Sequence, residues 1–320
     1  MEEVHFNWHI PVFRSNLNSY EKIYVLEHWL RRLIYVALTA EHGKEWKGAL
    51  PQEIYSKIKL RLNDTRNLSY LKIDNDLPFN EIWLTSLEET LEIINEKRLR
   101  KAIGRITKYT NKVLSREIEK IIEIRNVIAH NRVVLANTPE MIDGVLKVLS
   151  GAINNLNSYI AGSHPSTECL GKFENCITKG VKEDPIANIF EIRANQLPEK
   201  ELPFLVLEES DYFYHIYCWW GATDESSLQV SRILFSLRSI TDLLTAVAVN
   251  PAVFYPNLDP EDFFEHTLRF TWPKALDLDD QVRTVETIMI ETRSDYLWGD
   301  CPIEEQNYLV LANPLVWLQL

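Results

Sequence analysis

The chain of 320 residues has ten glycines and fourteen prolines, too few for a collagen-like or linker-dominated architecture. Its four cysteines, Cys169, Cys176, Cys218 and Cys301, are widely spaced and absent from the first half. That is no disulfide framework of a small secreted domain, and a reduced, cytoplasmic setting is expected. The amino terminus lacks a basic region followed by an apolar core, so no signal peptide is expected. The most apolar window, Ile233 to Phe254, is interrupted by Arg238 and Asp242, which argues against a membrane span. A Walker-type phosphate loop and a dinucleotide fingerprint are both missing. His164, Cys169 and Cys176 follow no zinc spacing, and Asp277, Asp279 and Asp280 lack the glycine and ligand order of a calcium loop. Neither a metal nor another cofactor is expected.

What is present is an ordinary globular composition, 46% hydrophobic and 25% charged, in a chain long enough for two domains. The formal charge of −12 by itself disfavours nucleic-acid binding, but it is unevenly spread. Residues 1–160 carry 23 basic and 20 acidic side chains, residues 161–320 only 11 against 26. Within the first half, Lys101, Arg105, Lys108 and Lys112 belong to a basic run between Lys97 and Lys120, which is either a phosphate-facing surface or a solvated helix face.

Apolar residues Ile23, Leu26, Leu30, Leu33, Ile34 and Ala37 recur at helical spacing and predict a long amphipathic helix over 18–40. Further helices are expected over 52–62, over 79–113 with a break near Gly104, over 115–134 with Ser115 as N-cap, and from Thr138-Pro139-Glu140 to before Gly162. The segment 63–78 reads as a loop. Residues 1–162 are therefore expected to form an all-α helical bundle. Beyond it, 163–320 reads as an α+β domain: one helix over 226–249 among strands at 186–194, 203–207, 212–219, 267–272, 284–291 and 308–312. Trp219 and Trp220, ending an aromatic strand, read as core and edge residues rather than a base-stacking platform.

One constellation carries chemistry. Arg125, Asn126 and His130 lie inside an otherwise apolar helix, and at 100° per residue Glu119, Glu123, Asn126 and His130 form a narrow polar stripe flanked by Arg125. The apolar residues around it predict a helix buried on several sides, whose polar groups then need partners. Either the stripe is a satisfied internal network, or it opens to a cleft where arginine holds a phosphate, histidine moves a proton and asparagine orients one of them.

The run Arg125-Asn126-Val127-Ile128-Ala129-His130 resembles the arginine, four to six residues, histidine motif of the HEPN superfamily, in the form with a polar residue straight after the arginine. Leu26-Glu27-His28-Trp29-Leu30-Arg31-Arg32, followed by Gly43-Lys44-Glu45-Trp46, is similar to the Glu-plus-Leu-Arg opening of one branch of that superfamily. The resemblance covers about residues 15–160. It implies a HEPN-like bundle and a metal-independent endoribonuclease whose composite site forms between two copies of the chain. In that implied site His130 is general base or acid, Arg125 holds the scissile phosphate and Asn126 positions one of them. Glu27, Arg31 and Glu123 support them. The implied partners are RNA and a second copy. Toxin or antiviral effector roles are common for such domains in bacteria, and the acidic second half would then sense or regulate. The rivals are a non-catalytic dimerisation or RNA-binding module, in which the Arg125/His130 network is structural, and a nucleotide-binding pocket that works with another protein.

Overall fold

The computed structural model describes residues 14–66, 80–130, 132, 134–163, 166–173, 204–222, 226–255, 263–292, 294–306, 308–311 and 313–318. The strand expected at 186–194 lies outside them. The helical region contains α1 (Arg14–His42), α2 (Gln52–Arg66), α3 (Leu87–Asn95), α4 (Arg100–Thr107), α5 (Asn111–Ala129) and α6 (Thr138–Ile160), followed by a short helix, α7, over 167–173. Short 3-10 turns occupy Gly43–Ala49 and Glu81–Leu84.

The single helix expected over 79–113 is instead the 3-10 turn Glu81–Leu84, α3, α4 and the start of α5. Ser86 and Glu89 exchange side-chain and backbone bonds in a capping box that starts α3 afresh. α3 ends at Asn95, and α4 ends where Lys108 takes a left-handed conformation at φ 59°. Gly104, where the break was expected, lies within α4. α5 then begins at Asn111, not Ser115. Ser115 sits inside the helix and donates to Asn95 Oδ1 at 2.8 Å. α5 ends at Ala129 with His130 as its C-cap, five residues short of the expected end.

The second region is built on a five-stranded sheet of order β1-β2-β5-β4-β7: β1 (Phe204–Glu209), β2 (Phe213–Ala222), β4 (Ala246–Tyr255), β5 (Phe263–Pro273) and β7 (Val316–Leu318). All neighbours are antiparallel except β4 and β7. β3 (Ser227–Leu228) and β6 (Trp298–Gly299) pair separately. Here three expectations fail. The helix read over 226–249 is instead β3, the seven-residue α8 (Val230–Ser236), a 3-10 turn at Thr241–Leu243 and the start of β4. The strand read over 284–291 is the latter part of α9 (Leu278–Glu291), and that over 308–312 contains the one-turn α10 (Tyr308–Leu311). Asp277 is the N-cap of α9: it accepts from the backbone N–H of Asp280, whose carboxylate takes ion pairs from Lys44 and Arg283. Trp220 is fully buried, edge-on to Trp298 at 6.0 Å, as the core assignment requires.

The helices and the sheet share one continuous apolar core rather than two. α1 makes this possible, because from Leu33 to Ala40 every residue is buried. One side of it reaches the sheet region. The Tyr35 hydroxyl donates to the Leu244 carbonyl at 2.6 Å, Thr39 bonds Thr245, and Arg32 donates to the Val316 carbonyl of β7 with its guanidinium over Trp317. Burial pushes the Arg32 guanidinium down to about 10. On another face of the same helix Glu27 reaches Arg125 of α5, which is how the buried helix positions the candidate site.

At the junction of the two regions, Gly162 packs so closely that a Cβ there would lie 2.9 Å from the Cδ2 of His215. His215 is fully buried on β2, its Nδ1 3.0 Å from the Thr271 hydroxyl. Burial, reinforced by Arg269 and Lys274, pushes its imidazole from 6.5 down to about 3. Between these values the unfolded chain binds a proton that the folded chain refuses, so stability falls as pH drops below about 6.5. The expected slope from this residue is up to ~1.4 kcal/mol per pH unit. Urea unfolding of the native chain and His215→Gln at pH 7 and pH 5 checks it: the native chain should lose about 2 kcal/mol more than the variant. Equal losses would contradict it.

Candidate active site

The i,i+4 spacing of Glu27 and Arg31 on α1 brings their side chains together at 3.2 Å, and both are largely buried. This is not a surface salt bridge. Arg31 Nε and Nη2 also donate to the Thr85 carbonyl, at 3.2 and 2.8 Å, in the turn that leads into the Ser86 capping box. Burial lowers the Arg31 pKa, with Glu27 opposing the shift and Arg125 adding to it. Glu27 Oε2 is thus fixed by a guanidinium that is itself anchored to the backbone.

The other oxygen of the same carboxylate, Oε1, lies 3.8 Å from Nε of Arg125. Glu27 therefore bridges two arginines, one buried on its own helix and one on α5 whose side chain is 38% exposed. A second, loose contact joins Arg125 Nη1 to Asn126 Oδ1 at 3.4 Å. Both are long for charge-assisted bonds, so the guanidinium is aimed by its neighbours but not saturated by them. Of the residues picked from the sequence, Arg125, Asn126, Glu27 and Arg31 form one cluster.

Glu123 does not join it. The expectation of a helix buried on several sides holds only for the first part of α5, where Leu114, Ile118 and Ile121 are in the core. Towards the C-terminal end Ile124, Val127 and Ile128 are only half-buried, and Glu119, Glu123 and His130 are exposed. Three members of the polar stripe thus face solvent, and only Asn126, half-buried beside Arg125, belongs to a network. Glu123 makes no ion pair there among the described residues, and the carboxylate beside Arg125 comes from α1 instead, a partnership no spacing within α5 could reveal. His130, expected within the helix, is exposed at its C-cap, where its backbone N–H bonds the Asn126 carbonyl at 3.2 Å.

The basic run divides. Lys101, Lys108 and Lys112 are exposed, as a phosphate-facing surface requires. Arg105 is not available to it: its guanidinium pairs with Glu41 of α1, donates to the Tyr212 hydroxyl at 3.0 Å and lies over that ring. It fastens α4 to α1 and to the sheet region.

Among the described residues no group of three or more His, Cys, Asp or Glu could hold a metal ion, and no helix is long and apolar enough to cross a membrane. What the cluster offers is a directed cation, an amide beside it and an imidazole at the end of the same helix. No protein-family model, curated protein or solved structure matches the chain.

Proposed function

We propose that the chain is a metal-independent endoribonuclease of the HEPN type, acting as a homodimer in a toxin or antiviral role. The observation that carries this reading is the Arg31–Glu27–Arg125 arrangement, which spends a buried arginine and a bridging carboxylate on holding one half-exposed guanidinium at the surface. Burying such groups is costly unless they are paired, so the arrangement suits a site more than a surface.

The chemistry needs only these residues. His130 takes the proton from a ribose 2′-hydroxyl as that oxygen attacks the adjacent phosphorus. Arg125 neutralises the charge that builds on the non-bridging oxygens, with a planar donor array suited to phosphate, and Asn126 keeps it oriented. The bond to the 5′-oxygen breaks as that oxygen takes up the proton the imidazole had accepted, and the products carry a 2′,3′-cyclic phosphate and a 5′-hydroxyl.

The surface that a second copy would use lies at the same end of the molecule. Asn16 of α1 bonds Arg132 and Val134, and Lys22 pairs with Asp143 of α6, so α1, the turn after α5 and α6 meet there. Leu17, Tyr20, Leu135 and Met141 on these elements are exposed, and Ile124, Val127 and Ile128 towards the end of α5 are half-buried. A two-fold contact through such a surface would bring two copies of Arg125 and His130 to one cleft.

Mixing Arg125→Ala and His130→Ala chains tests the shared site. Each alone should be inactive, and the mixture should regain up to about a quarter of native cleavage, as random pairing of two-fold dimers allows. A mixture as inactive as its components would contradict a site assembled across copies.

A further inference from the structure

Positions 97–116 hold eight Lys and Arg and no Asp or Glu, about a quarter of the cations in a chain of formal charge −12. Two of them are used internally: Arg105 as described, and Arg116 in a pair with Glu117. The other six, Lys97, Arg98, Arg100, Lys101, Lys108 and Lys112, are exposed, and none makes an ion pair among the described residues. Like charges gathered without counter-ions repel one another, an arrangement that favours binding a polyanion.

Their placement gives the polyanion a seat. Arg100 of α4 and Lys112 of the first turn of α5 line a surface cleft of about 560 Å³ together with Asn95, Gly104, Tyr109 and Asn111. The walls are set in advance. Arg100 Nη2 donates to the Asn95 carbonyl at 2.8 Å, and Asn111 Nδ2 donates to that of Ile94 at 2.5 Å. The Tyr109 hydroxyl packs where a Cβ on Gly151 of α6 would come within 2.6 Å, so the ring is held by α6.

The cleft also has a fixed relation to the candidate site. Lys112 and His130 are eighteen positions apart, which is five full turns, so they project from the same side of α5 about 27 Å apart. That side is open to solvent along its length, at Arg116, Glu119, Lys120 and Glu123. A stacked single strand rising ~3.4 Å per nucleotide covers the distance in about eight nucleotides. Glu119 and Glu123 repel its middle, so contact is expected at the two ends.

We propose that this cleft is a second contact for the phosphodiester backbone of single-stranded RNA, remote from the scissile bond. Its service to cleavage rests on the ribonuclease reading above; its binding of RNA does not. The test uses the full chain carrying His130→Ala, so that RNA survives, with and without Arg100→Gln and Lys112→Gln. Fluorescence anisotropy is read with single strands of about 16 and about 4 nucleotides over a range of salt. With the cleft intact the longer strand should bind at least about tenfold more tightly, and the two substitutions should remove most of that advantage and lower the salt slope by about 1.4. Equal affinity and slope with and without the substitutions would overturn the proposal, as would polyglutamate competing as well as RNA of equal charge. If the native chain fails to cleave RNA but shows the expected binding pattern, the ribonuclease reading fails and the cleft stands. Cleavage by the native chain together with RNA binding that does not respond to the cleft substitutions overturns the cleft alone.

Discussion

Arg125→Ala is expected to lower RNA cleavage in EDTA by about 10²–10³-fold, the usual cost of deleting one preorganised group that stabilises transition-state charge. The fold should survive, because the side chain is 38% exposed and its polar contacts among the described residues, 3.8 Å to Glu27 and 3.4 Å to Asn126, are long. Arg125→Lys keeps the charge but loses the planar fork, and should recover only part of the rate. His130→Ala should cost a comparable ~10²–10⁴-fold, the range for a general acid or base. Gel analysis of a labelled RNA, beside thermal unfolding of each variant, measures both effects. Full cleavage by Arg125→Ala would remove the guanidinium from the mechanism.

The second large effect is on stability. Glu27→Ala should destabilise the fold by about 3 kcal/mol, because it leaves the buried Arg31 without its carboxylate; removing one partner of a buried pair costs more than the pair is worth intact. Among the described residues, Arg31 would keep only the Thr85 carbonyl as a hydrogen-bond partner and Arg125 would lose its only ion-pair partner. Glu53→Ala is the control, since its pair with Lys57 on α2 is exposed and such pairs contribute little. Urea unfolding distinguishes the two. Equal small changes would mean that the Glu27 carboxylate is solvated and does not organise the site. Glu27→Gln is the more informative variant for cleavage, because the amide can still accept from Arg31 while the charge that attracts Arg125 is gone.

The sequence is most readable where burial follows one period. α1 shows its apolar stripe over 18–40 and extends over Arg14–His42, and α6 starts at the Thr138-Pro139 signal and ends before Gly162. Period fails where an element is buried on both faces. In β4, Ala246, Val247, Ala248 and Val249 are all buried, so the strand does not alternate, and its residues continued the apparent helical spacing of Leu228, Ile233, Leu237 and Ile240. The β-branched run of α9 reads as a strand because side-chain bonding is invisible in sequence. Thr284 donates to the Asp280 carbonyl and Thr292 to that of Ile288, so the threonine hydroxyls are satisfied along the helix. The Asp277 N-cap was the signal that could have corrected it.

The site was legible to the same extent and for the same reason. Helical spacing pairs Glu27 with Arg31 and sets the angle between Arg125 and His130 along α5. It cannot show that the Glu27 carboxylate reaches across to Arg125, that Glu123 faces solvent, or that Arg105 turns back to Glu41 and Tyr212, since each depends on packing between elements distant in the chain. The acidic half is likewise more intimately joined to the helices than its charge suggests, because Tyr35, Thr39 and Arg32 of α1 bond it directly.

The chemical identity of the cut ends tests the central claim most directly. Single-stranded RNA treated with the native chain in EDTA should yield fragments ending in 2′,3′-cyclic phosphate and beginning with 5′-hydroxyl, because the attacking oxygen is the neighbouring ribose hydroxyl and no metal-bound water takes part. Intact RNA, or fragments with 3′-hydroxyl and 5′-phosphate ends, would contradict it.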